Sequence, residues 1–127
     1  DGNRQFSDRV ISGIVERDGV VGLVPFNGYL VTRWKRGKNR REEVPLDVLA
    51  AHIDHVCQLA GDSLHAGIGS DFDGGFGLQS IPHGMDTIAD LQDLNPLLIA
   101  RGYSETDVTN ILGGNWLARL KRDLPST

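Results

Sequence analysis

An α/β fold with parallel strands is predicted by two short apolar segments, each set among helical patterns, giving two strands and about four helices. The segments are Val20 to Val24 and Leu64 to Gly69. The second runs into Gly67-Ile68-Gly69-Ser70-Asp71-Phe72-Asp73-Gly74-Gly75, whose glycines let backbone approach backbone or ligand closely. Two carboxylates therefore stand where a buried strand becomes a loop. On extended backbone, Asp71 and Asp73 would project the same way.

The elements follow in order. Ser7 is an N-cap candidate for a helix through about Glu16. Val20 to Val24 form the first strand. Pro25 to Glu43 read as a long polar loop carrying Asn27-Gly28, and loops of that length in compact domains are usually functional or mobile. Pro45 fits the first turn of a helix whose apolar positions, Leu49, Ile53, Val56, Cys57 and Ala60, carry it to a stop at Gly61. After the second strand, a loop with Pro82 and Gly84 leads to a helix from about Asp86 to Ala100, with Arg101 in its last turn and Gly102 beyond. The last helix opens at Ser104, where Asp107 makes a variant of the capping box, and continues to about Lys121; Leu124 to Thr127 read as frayed.

Composition bounds the function loosely. A chain of 127 residues, 39% hydrophobic and 24% charged, suits one domain with a modest core. Net charge is −4, and the one basic cluster, Arg33 to Arg41, meets Glu42 and Glu43 at once. It is too narrow for a nucleic-acid face and reads as a solvated loop, with Trp34 a candidate for docking a lid or a partner surface. Cys57 is the only cysteine, so no intrachain disulfide forms; on an apolar helical face it reads as a small buried residue and not a nucleophile. There is no apolar run of about 18 residues. Asp1 is not expected to be a natural start, so the lack of a signal pattern carries no weight.

Two loop chemistries fail on position. As a calcium loop beginning at Asp71, the run would need glycine where Phe76 stands and glutamate where Pro82 stands. As a phosphate cradle it lacks Gly-Lys-Ser/Thr and a helix directly after the glycines. His52 and His55, three apart on one helix, have the spacing for two imidazoles on a metal, but read as structural, as does His65 at a strand start. His83 lies in the loop after Asp71.

Four segments together resemble the membrane dipeptidase (renal dipeptidase) family, the M19 metallopeptidases. Gly67 to Gly75 is similar to the end of that family's last barrel strand; residues 52 to 60, HIDHVCQLA, to the helix before it; Gly19 to Leu30, GVVGLVPFNGYL, to the preceding strand; and Ile111 to Leu117, ILGGNWL, to its C-terminal helix with Gly-Gly-Asn. The resemblance implies that residues 1–127 are the C-terminal part of a single (β/α)8 TIM-like metallo-hydrolase barrel, incomplete as a lone chain, because such barrels need about 250 residues. Two lone parallel strands also leave edges and an apolar face that need the remainder of the barrel or another copy of the chain.

The family binds two zinc ions through an N-terminal His-x-Asp, a bridging Glu and two middle-strand histidines. None of these motifs occurs here, so no zinc is expected on this chain alone and no residue is assigned to metal or to catalysis. What the resemblance carries over is substrate binding. Asp71 matches the residue that holds the free amino group of a dipeptide, Arg4 the arginine that grips its terminal carboxylate, and Tyr29 an active-site tyrosine. The Arg4-Gln5 pair departs from the commoner Arg-Asn. A dipeptide carries an ammonium and a carboxylate, so one fixed anion and one fixed cation suit it. The other reading of Asp71 is a turn cap accepting N–H bonds in the glycine loop. The expected function is that of a fragment of a zinc-dependent dipeptidase acting on dipeptides, with no nucleic-acid partner. The alternative is a barrel that lost catalysis and serves as a binding or interaction module, to be decided by the zinc motifs upstream.

Overall fold

The computed structural model describes residues 5–125. Strands β1 (Val21–Leu23) and β2 (Ala66–Ile68) pair in parallel, with Val21 opposite Ala66, Gly22 opposite Gly67 and Leu23 opposite Ile68. The ladder reaches one residue further at each end, since Val21 N–H donates to His65 O at 2.8 Å and Gly69 N–H to Leu23 O at 3.0 Å. Glycine at the centre of β2 is required by packing: a Cβ on Gly67 would lie 2.5 Å from the indole nitrogen of Trp116.

The helix between the strands, α3 (Asp47–Ala60), makes the βαβ unit. It buries Leu49, Ala50, Ile53, Val56 and Cys57 along one face and stops at Gly61, whose φ of 81° only glycine adopts without strain. This face, with Val21, Ala66, Leu94, Leu98 and Ile111, forms the core. Full burial of each such leucine or isoleucine contributes about 1.5–3 kcal/mol. Helix α1 (Asp8–Val15) lies against α3 and buries Ile11; Ser7 takes the N-cap conformation, but its side chain makes no capping bond.

The expected helix from Asp86 to Ala100 is divided. Thr87 and Asp90 close a capping box over a 3₁₀ segment, Ile88–Asp93, before α4 (Leu94–Ala100) begins. Pro96 is the reason: it has no N–H for the carbonyl four residues back, and sits comfortably only in a first turn. The last helix is divided as well, into α5 (Glu105–Thr109), a π-turn over Asn110–Gly114 and α6 (Asn115–Asp123). The Ser104 capping box forms as the spacing predicts, with Asp107 N–H on Ser104 Oγ at 3.2 Å and Ser104 N–H on Asp107 Oδ2 at 2.9 Å. Bonds from the Ser104 and Ser63 hydroxyls and from Ser104 N–H hold the Asp107 carboxyl below its ordinary range.

Where α3 meets the turn before α5, Tyr103 donates to Asp54 Oδ1 at 2.6 Å, beside Cys57. Burial first, then the bond to Asp54, pushes the phenol upward. Burial also raises the Cys57 thiol, which matches its reading as an inert core residue. Among the described residues no helix is long and apolar enough to cross a membrane.

Candidate active-site face

Both strands deliver their following loops, 24–44 and 69–87, to the same end of the sheet because they run parallel. Tyr29 and Asp71 are therefore on one face, as expected. The first loop is more ordered than its composition suggests: Asn27–Leu30 form a short helix, α2, and Arg41–Glu43 a 3₁₀ turn. Tyr29 sits half-buried in α2; its carbonyl accepts from Gln5 Nε2 at 3.2 Å, and its ring meets Phe26 edge-on at 4.8 Å.

Phe26 joins the two loops. Its ring centroid is 5.0 Å from Phe76, in the loop after β2, and 6.3 Å from Trp34. Trp34 is 8% exposed, so it belongs to the core and is not free to dock a lid or a partner. Farther out the loops are stitched by polar bonds. Buried Asn27 donates to Ile81 O at 3.1 Å, and His83 N–H donates to Val44 O at 2.8 Å. Arg41 forks onto Pro82 O and Met85 O and pairs with Asp86. The rest of the basic run, from Arg33 to Arg40, lies at the surface apart from Trp34 and half-buried Asn39, as a solvated loop should.

Asp71 opens a tight turn. Its φ is 48°, so the alternation that would have aimed Asp71 and Asp73 together does not hold. Its carbonyl accepts from Gly74 N–H at 2.9 Å, while a Cβ on Gly74 would lie 2.6 Å from Asp71 Oδ1. Glycine at 74 makes room for the carboxylate. That carboxylate is exposed and makes no hydrogen bond with any described residue, so the turn is held by the backbone of Asp71 and not by its side chain. Arg4 lies outside the described residues.

Three of the four histidines are spoken for locally. His52 Nε2 bonds Leu30 O at 3.0 Å, His55 Nε2 meets Asp8 Oδ1 at 2.9 Å, and His65 Nδ1 bonds Gly19 O at 2.7 Å. The first two tie α3 to different neighbours. A hollow of about 790 Å³ opens between α1, β1 and α3, walled by Phe6, Ile11, Gly22, Tyr29 and Val56, but Asp71 is not in its wall. A smaller one, about 260 Å³, lies under the second loop among Phe72, Phe76, Leu78, Ile81 and Ile88.

Asn27, Arg41 and the Phe26–Phe76 contact were not singled out by sequence reasoning. Asn27-Gly28 enters the sequence only as part of a long polar loop, and Arg41 stands hidden in a run of cations. The one available signal was the length of the loop.

The family model described as membrane dipeptidase (peptidase family M19) matches residues 1–123. The chain belongs to this family. It is 32% identical to an uncharacterized dipeptidase of Schizosaccharomyces pombe over 90% of its own length, and 30% identical to dipeptidase aclJ of Aspergillus oryzae over 91%. Among solved structures it is similar to the dipeptidase AC, a metallopeptidase of family M19, with a TM-score of 0.77, 31% identity and 94% of this chain covered. An amidohydrolase from Pseudomonas aeruginosa follows with a TM-score of 0.75, 26% identity and 95% covered.

The chain spans about a quarter of those curated relatives, 25% of each, and 32% and 41% of the two solved chains. Its fold is thus part of a TIM-type barrel. The members are metallopeptidases, yet the described residues bring no three of His, Cys, Asp and Glu together as a metal site.

Proposed function

We propose that this chain is the substrate-recognition portion of a zinc-dependent dipeptidase. The observation that carries the reading is an exposed carboxylate at Asp71 with no bond to a described residue, on the strand end shared with Tyr29. An aspartate left unpaired at a barrel's active end is suited to a cationic ligand group, and the ammonium of a dipeptide is such a group. Arg4 takes the substrate carboxylate and Tyr29 lines the same face. The zinc ligands belong to the parent polypeptide, with which this portion shares one barrel domain, so no step of hydrolysis is assigned to residues of this chain.

Asp71→Asn in the full-length parent tests the role, since it removes the anion and keeps the size. Loss of a charge-assisted bond, about 1.5–3 kcal/mol, lowers kcat/KM roughly 10- to 150-fold. Zinc content stays unchanged, and a substrate analogue lacking the amino group is handled equally by variant and wild type. A variant that loses zinc, or whose defect persists on the amine-free analogue, would refute the assignment.

A further inference from the structure

The Asp71 carboxylate sits on a turn with little of its own to hold it in place. Beyond that turn Gly75 and Gly77 take φ of 75° and 73°, and Phe76 between them is the only residue from 73 to 79 that is not exposed. Glycine backbone is permissive, so the outer limb of this loop is placed by what the Phe76 ring packs on. That partner is Phe26, 5.0 Å away between ring centroids.

Phe26 also holds Tyr29, and it does so twice. Its carbonyl accepts from Tyr29 N–H at 2.8 Å, and its ring meets the phenol edge-on with centroids 4.8 Å apart. Gly28 leaves room for the ring in that position, since a Cβ there would lie 2.7 Å from Phe26 Cε1. One aromatic ring therefore bridges the loop that carries Tyr29 and the loop that carries Asp71.

We propose that Phe26 is a positioning residue of the substrate site: through Phe76 it sets the Asp71 turn at a fixed separation from Tyr29. The inference rests on the dipeptidase reading and adds to it the residue that determines where the carboxylate meets the ammonium. A dipeptide's ammonium stands at a fixed reach from its scissile carbonyl, so the substrate does not make good an error in the turn. A misplacement of about 1 Å in such a site costs up to roughly 10²-fold in rate. Leucine at position 26 keeps an apolar side chain but gives up the ring contacts on both sides.

The test uses Phe26→Leu and Phe76→Leu in the full-length parent, each assayed on a dipeptide and on its analogue lacking the amino group. The ratio of the two kcat/KM values is the readout, because the fraction of folded protein cancels from it. Both substitutions lower kcat/KM for the dipeptide about tenfold and leave the analogue within about twofold of wild type. In an Asp71→Asn background, where the ammonium has lost its partner, Phe26→Leu causes no further change in the ratio. A ratio unchanged in either single variant, or a change that persists at full size in the Asp71→Asn background, overturns the inference alone. An Asp71→Asn variant that is itself unselective for the amine overturns the dipeptidase reading and this inference together.

Discussion

Arg41 is the place to test how firmly the two loops are joined. Its side chain is 14% exposed, and its guanidinium reaches Pro82 O at 3.2 and 2.9 Å and Met85 O at 2.9 Å. Arg41→Met keeps the aliphatic stem and takes these donors from both carbonyls. A buried acceptor left unpaired costs about 1–3 kcal/mol. The ion pair with Asp86, at 2.6 Å but with that carboxylate 66% exposed, adds less than about 1 kcal/mol. Pro82 O keeps the Met85 N–H at 3.3 Å, so Met85 O is the acceptor left bare. The sum is roughly 1–4 kcal/mol, and at about 4 °C per kcal/mol for a chain of this size Tm falls by about 4–16 °C. Thermal unfolding followed by circular dichroism measures it, and exchange of the His83 amide, bonded to Val44 O at 2.8 Å, localises it. Arg41→Lys recovers only part, because an ammonium lacks the planar fork, and Asp86→Asn stays within about 4 °C of the parent sequence. An Arg41→Met melt within about 2 °C of wild type, with His83 still protected, would refute the reasoning.

Other substitutions probe separate contacts. Gly67→Ala sets a methyl 2.5 Å from the Trp116 indole and lowers stability by about 1–3 kcal/mol in urea unfolding, an effect that shrinks in a Trp116→Ala background. Gly61→Ala, at φ 81°, costs about 1 kcal/mol by the same measurement, with no change of secondary structure. Asp107 has its carboxyl depressed in the folded state by Ser104 and Ser63. The stabilisation it brings is therefore complete above the ordinary value of 3.8 and is lost as pH falls through the lower folded value. Asp107→Asn should be the less stable protein at neutral pH, with the gap closing in acid; a gap constant down to acid unfolding would count against the cap.

What could be read from residues alone was whatever local chemistry decides. Gly61 after an apolar stripe ended α3 where the sequence placed the stop, and Ser104 with Asp107 opened α5 for the same kind of reason. The pairing of the strands followed from small residues flanking a crossover helix. The misses lie where distant contacts decide. Trp34 stands among cations and is drawn into the core by Phe26, a contact that no nearest-neighbour pattern encodes. Asp71 leaves the strand alternation because Gly74 gives its carboxylate room, and a period of two says nothing about a residue in the left-handed region. Pro96 was visible in the sequence, and its missing N–H already implied the break that α4 shows.

The lone thiol gives the molecule an internal gauge of opening. Cys57 is 4% exposed, at the C-terminal end of the buried face of α3, and its burial disfavours the thiolate that alkylating reagents attack. Labelling must then wait for α3 to lift from the sheet or for the chain to unfold, so its rate counts those excursions under native conditions. The same count taken with the rest of the barrel attached would express, as a ratio of two rates, how much cohesion the neighbouring strands lend to this helix.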